Sequence, residues 1–565
     1  MDIDEPQAVV ATSAENVDAP IKKEFLIVRD SNVISDDEDM EKRETGMNKD
    51  RYAVNSSEQP SDQEKLCPRI SIGVECPFGD ECKFSHDIEN FLANKGPDLG
   101  RRCPVFEAFG SCEYGLRCRF AQAHTTANNA QIVDEDKVKL SEQEKKTFNH
   151  ISKDMLICLR KKKYQYPRTK AFEHVWEALK NGNDLDEEED DIEDDTMRKS
   201  SAPKRQRMQT GNVDFRGKTY LGPLTTLGNL PFRRTCKGFG VDITCSEMAL
   251  ATNIMLGKQS ELALLRRHES EDIFGVQLAG RRVDVIGRAT EFISAECNVD
   301  FIDLNLGCPI ELAYNKGAGS ALLNQPTQIE RIVRIMRYVS DCDITVKLRT
   351  GIKTGNNLAY NLIPKFERWG AAMGTLHGRS RQQRYTKYAD WEYIGECKQA
   401  TGQIPLFGGG DVLSWEDYWD HLETQKQCDG VMVSRGALIK PWIFREINER
   451  RVWDISANER LDILKDFARY GMEHWGTDTY GIANTRRYLL EWQSFLHRYI
   501  PAGLLEVLPQ KMNERPPPYY GRNDLETLMA SPSSKDWIKI SEMVLGPAPE
   551  GFNFIPKHKS NAYED

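Results

Sequence analysis

Val299-Asp300-Phe301-Ile302-Asp303-Leu304-Asn305-Leu306-Gly307-Cys308-Pro309 is an apolar run that halts at Asn, Gly, Cys and Pro. A run of Val, Phe, Ile and Leu this short reads as a buried strand. The Gly-Cys-Pro break leaves one thiol at the strand's C-terminal tip, which in a parallel α/β barrel is where chemistry sits. Cys308 is therefore a candidate acid or nucleophile; a structural thiol at a strand end is the alternative reading of the local sequence.

Seven further apolar runs lie on either side: Thr219–Leu224, Val241–Cys245, Phe274–Leu278, Ile344–Leu348, Ala371–Leu376, Ile404–Phe407 and Gly430–Val433. Helix-length segments separate them, so the spacing suits repeated βα units. Eight such units predict an α/β fold of the (β/α)8 TIM-barrel type. An open doubly wound sheet is the competing architecture, and it seldom needs eight equal units.

The expected strand tips are polar in an ordered way. The first ends Gly222-Pro223-Leu224-Thr225-Thr226, the third carries Gln277, and the fourth ends at Asn305 and Cys308. The fifth ends at Lys347 and Arg349, the sixth at His377, the seventh at Gly408-Gly409-Gly410-Asp411, and the eighth at Ser434-Arg435-Gly436. Glycines let backbone N–H groups approach an anion and Arg435 adds charge, so the last two loops predict a phosphate site. Lys347 and His377 would converge on the same cavity, and Gln277 can both donate and accept at the edge of a planar heterocycle. A phosphorylated planar cofactor in the barrel mouth satisfies all of these, and FMN fits.

Upstream, Cys67-x8-Cys76-x5-Cys82-x3-His86 offers three thiolates and an imidazole in 20 residues. That is a tetrahedral zinc set in a segment too small to hold a core of its own. The spacing recurs at Cys103-x8-Cys112-x5-Cys118, with His124 two residues later than the first pattern places its histidine. Both clusters resemble CCCH zinc fingers, a family that generally binds single-stranded or looped RNA. Phe78, Phe84, Tyr114 and Phe120 are candidates for stacking on bases, and Lys83, Arg117 and Arg119 for meeting phosphates. A protein-docking finger is the other reading.

At 565 residues the chain needs several domains. Residues 1–60 are acidic and poor in aromatics, which predicts a disordered tail. Fingers follow over 61–90 and 98–128, then a basic helical segment over 135–182 and a charged disordered linker over 183–212. The barrel takes 214–455, a helical RNA-binding domain 456–550 with a last short helix near 523–544, and a tail 551–565. The net charge of −11 hides its distribution: Asp184 to Asp195 holds ten acids, leaving −1 for everything else. The basic run Arg198 to Arg207 reads as solvated linker or nuclear import signal. No apolar run approaches a membrane span, and no signal-peptide pattern opens the chain, so a reducing cytoplasmic or nuclear location is expected.

The motifs PLTTLGNLPFRRTCKGFGVDITCSEMA (223–249), GVQLAG (275–280), DLNLGCP (303–309), VKLRTG (346–351), LHGRSRQQRY (376–385) and GGGDVLSW (408–415) together resemble the tRNA-dihydrouridine synthases. With two CCCH fingers the likeness is to the eukaryotic branch acting at uridine 47. The resemblance implies an FMN enzyme reduced by NADPH or NADH that reduces the C5–C6 bond of a uridine in tRNA. It implies that Pro223, Leu224, Thr225, Gln277, Lys347 and His377 line the flavin. It further implies that Gly409, Gly410, Asp411, Ser434 and Arg435 hold the phosphate end, and that Cys308 is the proton donor. Gly409 stands where the family commonly has Asn, which leaves backbone donors there. Asn305, Arg379, Arg381 and Arg384 are expected at the RNA, with Tyr385, Lys387 and Tyr388 beside them and Arg486 and Arg487 as a second surface. A monomer is expected, and messenger RNA stands open as a second substrate. A reductase of free pyrimidines and a non-catalytic RNA-binding protein with a degenerate barrel are the alternatives.

Overall fold

The computed structural model describes residues 18–27, 65–180 and 213–557. Eight parallel strands form its centre: β1 (Tyr220–Leu221), β2 (Ile243–Cys245), β3 (Ile273–Ala279), β4 (Phe301–Leu306), β5 (Asp343–Arg349), β6 (Met373–His377), β7 (Leu406–Gly409) and β8 (Gly430–Val433). Each pairs with the next, and β8 pairs back onto β1 through Met432–Tyr220 and Val433–Leu221, closing the barrel. The expected (β/α)8 architecture is therefore present, with the run 299–306 centred on the fourth strand.

The interior is a packed core at its N-terminal end. Phe215, Tyr220, Phe301 and Phe407 fill it with edge-to-face ring contacts, 5.6 Å between the centroids of Phe215 and Phe301 and 6.1 Å between those of Tyr220 and Phe407. Two strand glycines make room: a Cβ on Gly275 would lie 2.1 Å from the Phe301 ring, and one on Gly430 2.3 Å from Phe407. Outside the strands, amphipathic helices such as Val283–Glu296 and Pro326–Val339 bury Ile286, Phe292, Ile329 and Ile332 against the barrel wall.

The C-terminal part is helical as expected, starting at Ser456, whose side chain and that of Glu459 form a reciprocal cap on the helix Ala457–Trp475. A second long helix, Thr479–Leu496, packs on it. The expected single last helix is instead two, Asp524–Ala530 and Ser534–Leu545, broken around Pro532. The segment expected as one basic helical stretch is three helices, Glu135–Gln143, Lys153–Arg160 and Pro167–Lys180, running along the barrel. Tyr164 donates to Glu296 at 2.8 Å, so this strap is latched to the barrel's outer helices.

Two terminal segments depart from expectation. Residues 18–27, placed in a disordered tail, dock on the helical domain: Ala19 and Ile21 are buried with Ile500, Leu504 and Tyr519. The average acidity of the first 60 residues conceals the short apolar sequence Ala19-Pro20-Ile21 that a preformed trough can bury. At the other end residues 551–557 are no free tail, since Phe554 is buried against Leu490 and Trp537. The rest of the first 60 residues, the acidic run 184–195 and the basic run 198–207 lie outside the described residues. No helix among the described residues is long and apolar enough to cross a membrane.

Candidate active site

Cys308 sits at the tip of β4, nearly buried at 7% exposure. Its position is set by Asn305, whose side-chain oxygen accepts from the backbone N–H of Gly307 at 3.1 Å and of Cys308 at 2.8 Å. This turn lets the apolar strand end abruptly with the thiol beside the barrel mouth. Asn305, expected to meet substrate, thus spends its oxygen on the turn. Its Nδ2 donates to Gln277 Oε1 at 2.8 Å, and Gln277 Nε2 donates to Asp303 at 2.7 Å. Thr345 donates to the other Asp303 oxygen at 2.7 Å. The chain Asp303–Gln277–Asn305–Cys308 fixes the amide orientations of both tips. Burial pushes the Asp303 carboxyl up to about 6, against the hydrogen bonds of Thr345 and Gln277 and the charge of Lys347.

Burial also raises the Cys308 thiol above its ordinary value, against backbone hydrogen bonding at Ile310 and the charge of Arg349. The thiol is protonated at neutral pH, which suits a proton donor and not a thiolate nucleophile. Lys347 and His377 stand on neighbouring strands of the same mouth, as β4–β5–β6 pairing requires. Desolvation lowers the Lys347 ammonium, with Arg349 adding to the shift. Desolvation holds the His377 imidazole well below its usual range, reinforced by Arg349 and Lys347, so it is a neutral hydrogen-bonding group. Its buried Nδ1 has no partner within the protein.

The β7 and β8 loops meet as the phosphate expectation requires, with a different division of labour. Gly410 has φ +139° and Asp411 φ +56°, so the backbone turns sharply at the strand end. The Asp411 carboxylate does not face the cavity as a ligand. It accepts from Arg435 at 2.7 Å, from the backbone N–H of Ala389 at 2.7 Å and from Arg379, which donates to both of its oxygens. Asp411 therefore aims Arg435. On β1, a Cβ at Gly222 would lie 2.3 Å from Ser434 Oγ, so the loop carrying Pro223, Leu224 and Thr225 closes on the β8 loop. Asp411→Ala leaves the Arg379 and Arg435 guanidiniums without their carboxylate. It is expected to destabilise the fold by about 3–5 kcal/mol, read as a lower urea midpoint at unchanged slope.

Arg379, expected at the RNA, is fully buried by that pairing and by the Lys387 carbonyl at 2.9 Å. Arg381 stacks on Tyr314 at 3.8 Å, and Arg384, Tyr385 and Tyr388 are exposed around the mouth. Arg486 is likewise no surface residue: it donates to Ser541 Oγ at 2.7 Å and to the carbonyl of Gly546 at 2.6 Å. Two groups lacked any local signal. Glu247 at the β2 tip accepts from the Thr226 backbone at 2.6 Å, and Lys557 reaches back from the chain's end to Thr226 Oγ1 at 2.7 Å. Together they fix the β1 loop from both sides.

Each finger gathers its ligands: in Cys67, Cys76, Cys82, His86 and in Cys103, Cys112, Cys118, His124 the donor atoms lie within 4.8 Å of one another. The 3-10 turn Ala121–Ala123 absorbs the two extra residues before His124. Both His124 nitrogens are buried without a hydrogen-bond partner, as is His86 Nε2, which fits zinc coordination. The second finger turns its side chains inward. Phe120 is buried, Tyr114 packs on Gly476, Arg117 lies 3.9 Å from Asp478, and Arg119 donates to the Pro97 carbonyl at 3.0 Å. Tyr114 and Arg117, expected at RNA, meet the turn 476–478 of the helical domain, and Arg119 and Phe120 fold back on Pro97 and Gly100 of the finger itself, whereas Phe78 of the first finger is 67% exposed and Lys83 lies over Phe84.

The mouth thus offers an anion cradle, an unpartnered neutral imidazole, an ammonium and a protonated thiol, a donor set that fits FMN. Residues 220–479 match the dihydrouridine synthase (Dus) family, and residues 63–94 and 96–127 match the DUS3L CCCH zinc finger domain. A human protein described as "tRNA-dihydrouridine(47) synthase [NAD(P)(+)]-like" is 47% identical, covering 93% of this chain and 85% of that one. Proteins of the same description are 47% identical in Xenopus tropicalis, over 93% of this chain and 84% of that one, and 40% identical in Arabidopsis thaliana, over 98% and 94%. With a closed parallel barrel matching one of these models, two Cys/His clusters matching the other, and relatives this similar over nearly the whole chain, the chain belongs to the dihydrouridine synthase family.

Proposed function

We propose that this chain reduces the C5–C6 double bond of a uridine in tRNA to dihydrouridine, at position 47 as in the relatives' names, using NADPH or NADH. The observation that carries the reading is the protonated Cys308 thiol at the β4 tip, in one mouth with the cradle after β7 and β8. Pro223, Leu224, Thr225, Gln277, Lys347 and His377 would hold the flavin, with Gly409, Gly410, Ser434 and Arg435 at its phosphate and Asp411 orienting Arg435. FMN, bound there and reduced by NAD(P)H, supplies the hydride that goes to uracil C6.

The protein's part is proton and charge. Hydride arrival at C6 places negative charge on C5 and the C4 oxygen, because C5=C6 is conjugated with that carbonyl. Cys308 gives its proton to C5 and recovers one from solvent. The Lys347 ammonium and the neutral His377 N–H stabilise charge on the carbonyl or the flavin. The target base must leave its stack to reach the mouth, at a cost of a few kcal/mol. Arg381, Arg384, Tyr385 and Tyr388 at the rim would hold the RNA meanwhile.

Mapping dihydrouridine in RNA from cells lacking this protein tests the reading, and loss of the modification from one tRNA position is the expected result. Loss from messenger RNA as well would extend the substrate class. Purified protein turning over free uridine as fast as tRNA would favour a pyrimidine reductase instead. A colourless preparation without flavin absorbance would point to a non-catalytic RNA binder.

A further inference from the structure

A second cavity lies away from the mouth. It lies at the opposite, N-terminal end of the barrel, has a volume of about 690 Å³, and is walled by the second finger, the strap, the barrel's foot and the helix Ala457–Trp475. That size is within the range of about 300–1,000 Å³ typical of ligand sites. Part of its wall is aromatic, from Phe109, Tyr114 and Phe148, and the strap residue Asn149 pins it open by donating to the carbonyls of Leu265 at 2.8 Å and Asn298 at 3.2 Å.

Its charges do not cancel. Glu473 is committed to Arg234 at 2.6 Å and Glu296 to the Tyr164 hydroxyl at 2.8 Å. Arg266 reaches only the His474 carbonyl, at 3.5 Å, and Lys146 only the Ala108 carbonyl, at 3.5 Å. Neither has a carboxylate within ion-pair distance among the described residues, although Glu113 acts on Arg266 from further off, and the lining as a whole sets four cations, Arg234, Arg266, Lys145 and Lys146, against three carboxylates, Glu113, Glu296 and Glu473. A half-buried guanidinium with one long hydrogen bond is costly unless an anion completes it. The His268 imidazole, pushed down to about 4 by burial and by Arg234, contributes a neutral polar edge.

We propose that this cavity binds one phosphorylated nucleoside, its phosphate on Arg266 and Lys146 and its base on the aromatic wall of Phe109, Tyr114 and Phe148. The nucleoside is either free or an unpaired residue of a bound RNA, and only the second source rests on the tRNA reading. Arg–phosphate pairing and base–aromatic stacking are the interactions that recognise such a group without reading its sequence. The site is remote from Cys308, so it serves binding and not the reaction.

The test uses full-length protein carrying its zinc and FMN, with 8-azidoadenosine 5′-monophosphate and a 5′-phosphorylated single-stranded tetra-adenylate bearing the same photolabel. Adenine is not a substrate for C5–C6 reduction, so labelling is independent of turnover and separates failure of this proposal from failure of the proposed function. The expected result is labelling within residues 109–114 or 145–152, weakened at least tenfold in Arg266→Gln/Lys146→Gln and not competed by adenosine. Labelling by the mononucleotide identifies a free ligand, and labelling by the tetra-adenylate alone identifies RNA as its bearer. Lys146→Gln by itself, with melting temperature and flavin content as wild type, should still weaken labelling several-fold. Labels confined to the barrel mouth, or unchanged in Lys146→Gln, overturn the proposal.

Discussion

Cys308→Ala yields a yellow, folded protein that binds tRNA and forms dihydrouridine about 10²–10⁴ times more slowly, the usual worth of a general acid. The site's construction makes the loss specific. The Cys308 backbone N–H, which Asn305 holds at 2.8 Å, survives the substitution, and so does the Ser320 hydroxyl bond to the Cys308 carbonyl at 2.8 Å. Only the sulfur goes, and with it the proton that the β4 tip offers to C5. Wild-type activity has a matching pH dependence. Cys308 donates only while protonated, and burial raises its pKa. Activity should therefore hold through neutral pH and fall as pH rises through that raised value, above the ordinary thiol range. Single-turnover dihydrouridine formation across pH, with flavin absorbance and tRNA affinity alongside, provides the measurement. A Cys308→Ala enzyme with wild-type turnover would remove the thiol from the mechanism and leave solvent as the donor.

What the sequence disclosed and what it hid divide along physical lines. Strand periodicity and tip residues are local, so the run 299–309 was enough to place a thiol at a strand end, and its seven companion runs implied a closed barrel. Ligand spacing is also local, which makes both zinc sets legible save for His124, whose place beside its three cysteines only the fold shows. Arginine is the residue whose place the sequence conceals most. Arg379 and Arg486 read as RNA contacts because basic residues are usually solvated, yet each is buried among acceptors distant in sequence, Asp411 for the one and Ser541 and Pro547 at the end of the last helix for the other. Tyr114 and Arg117 differ from expectation for a related reason: the sequence of a finger names its side chains but not the surface they meet. Lys557 and Ile21 have no local pattern at all, since their roles exist only once the barrel and helical domain have formed the surfaces they meet.

The second finger carries the other large effect. Its ligands Cys103, Cys112, Cys118 and His124 are each 0% exposed, unlike those of the first finger. Cys112 and Cys118 sulfurs lie 3.5 and 3.1 Å from Thr477 Oγ1, and the Arg119 backbone N–H donates to the Thr477 carbonyl at 2.8 Å, at the turn between the two long C-terminal helices. The first finger leans on the second in turn, since a Cβ on Gly115 would meet the Ser71 carbonyl oxygen at 1.9 Å. Zinc binding is worth about 10–16 kcal/mol in isolated finger peptides, where it drives folding outright. Cys112→Ser should therefore release zinc from the second finger and undock both fingers from the helical turn. Cys67→Ser should unfold the first finger alone. The expected signature for Cys112→Ser is fewer than two zinc ions per chain, early proteolysis between residues 65 and 130, and a tRNA KM raised well beyond that of Cys67→Ser. Flavin content should be unchanged in both, because the residues that would hold FMN all belong to the barrel. Equal tRNA affinity in wild type and Cys112→Ser would make the fingers scaffold for the helical domain, and equal zinc content would mean that Cys103, Cys118 and His124 hold the ion without the fourth ligand.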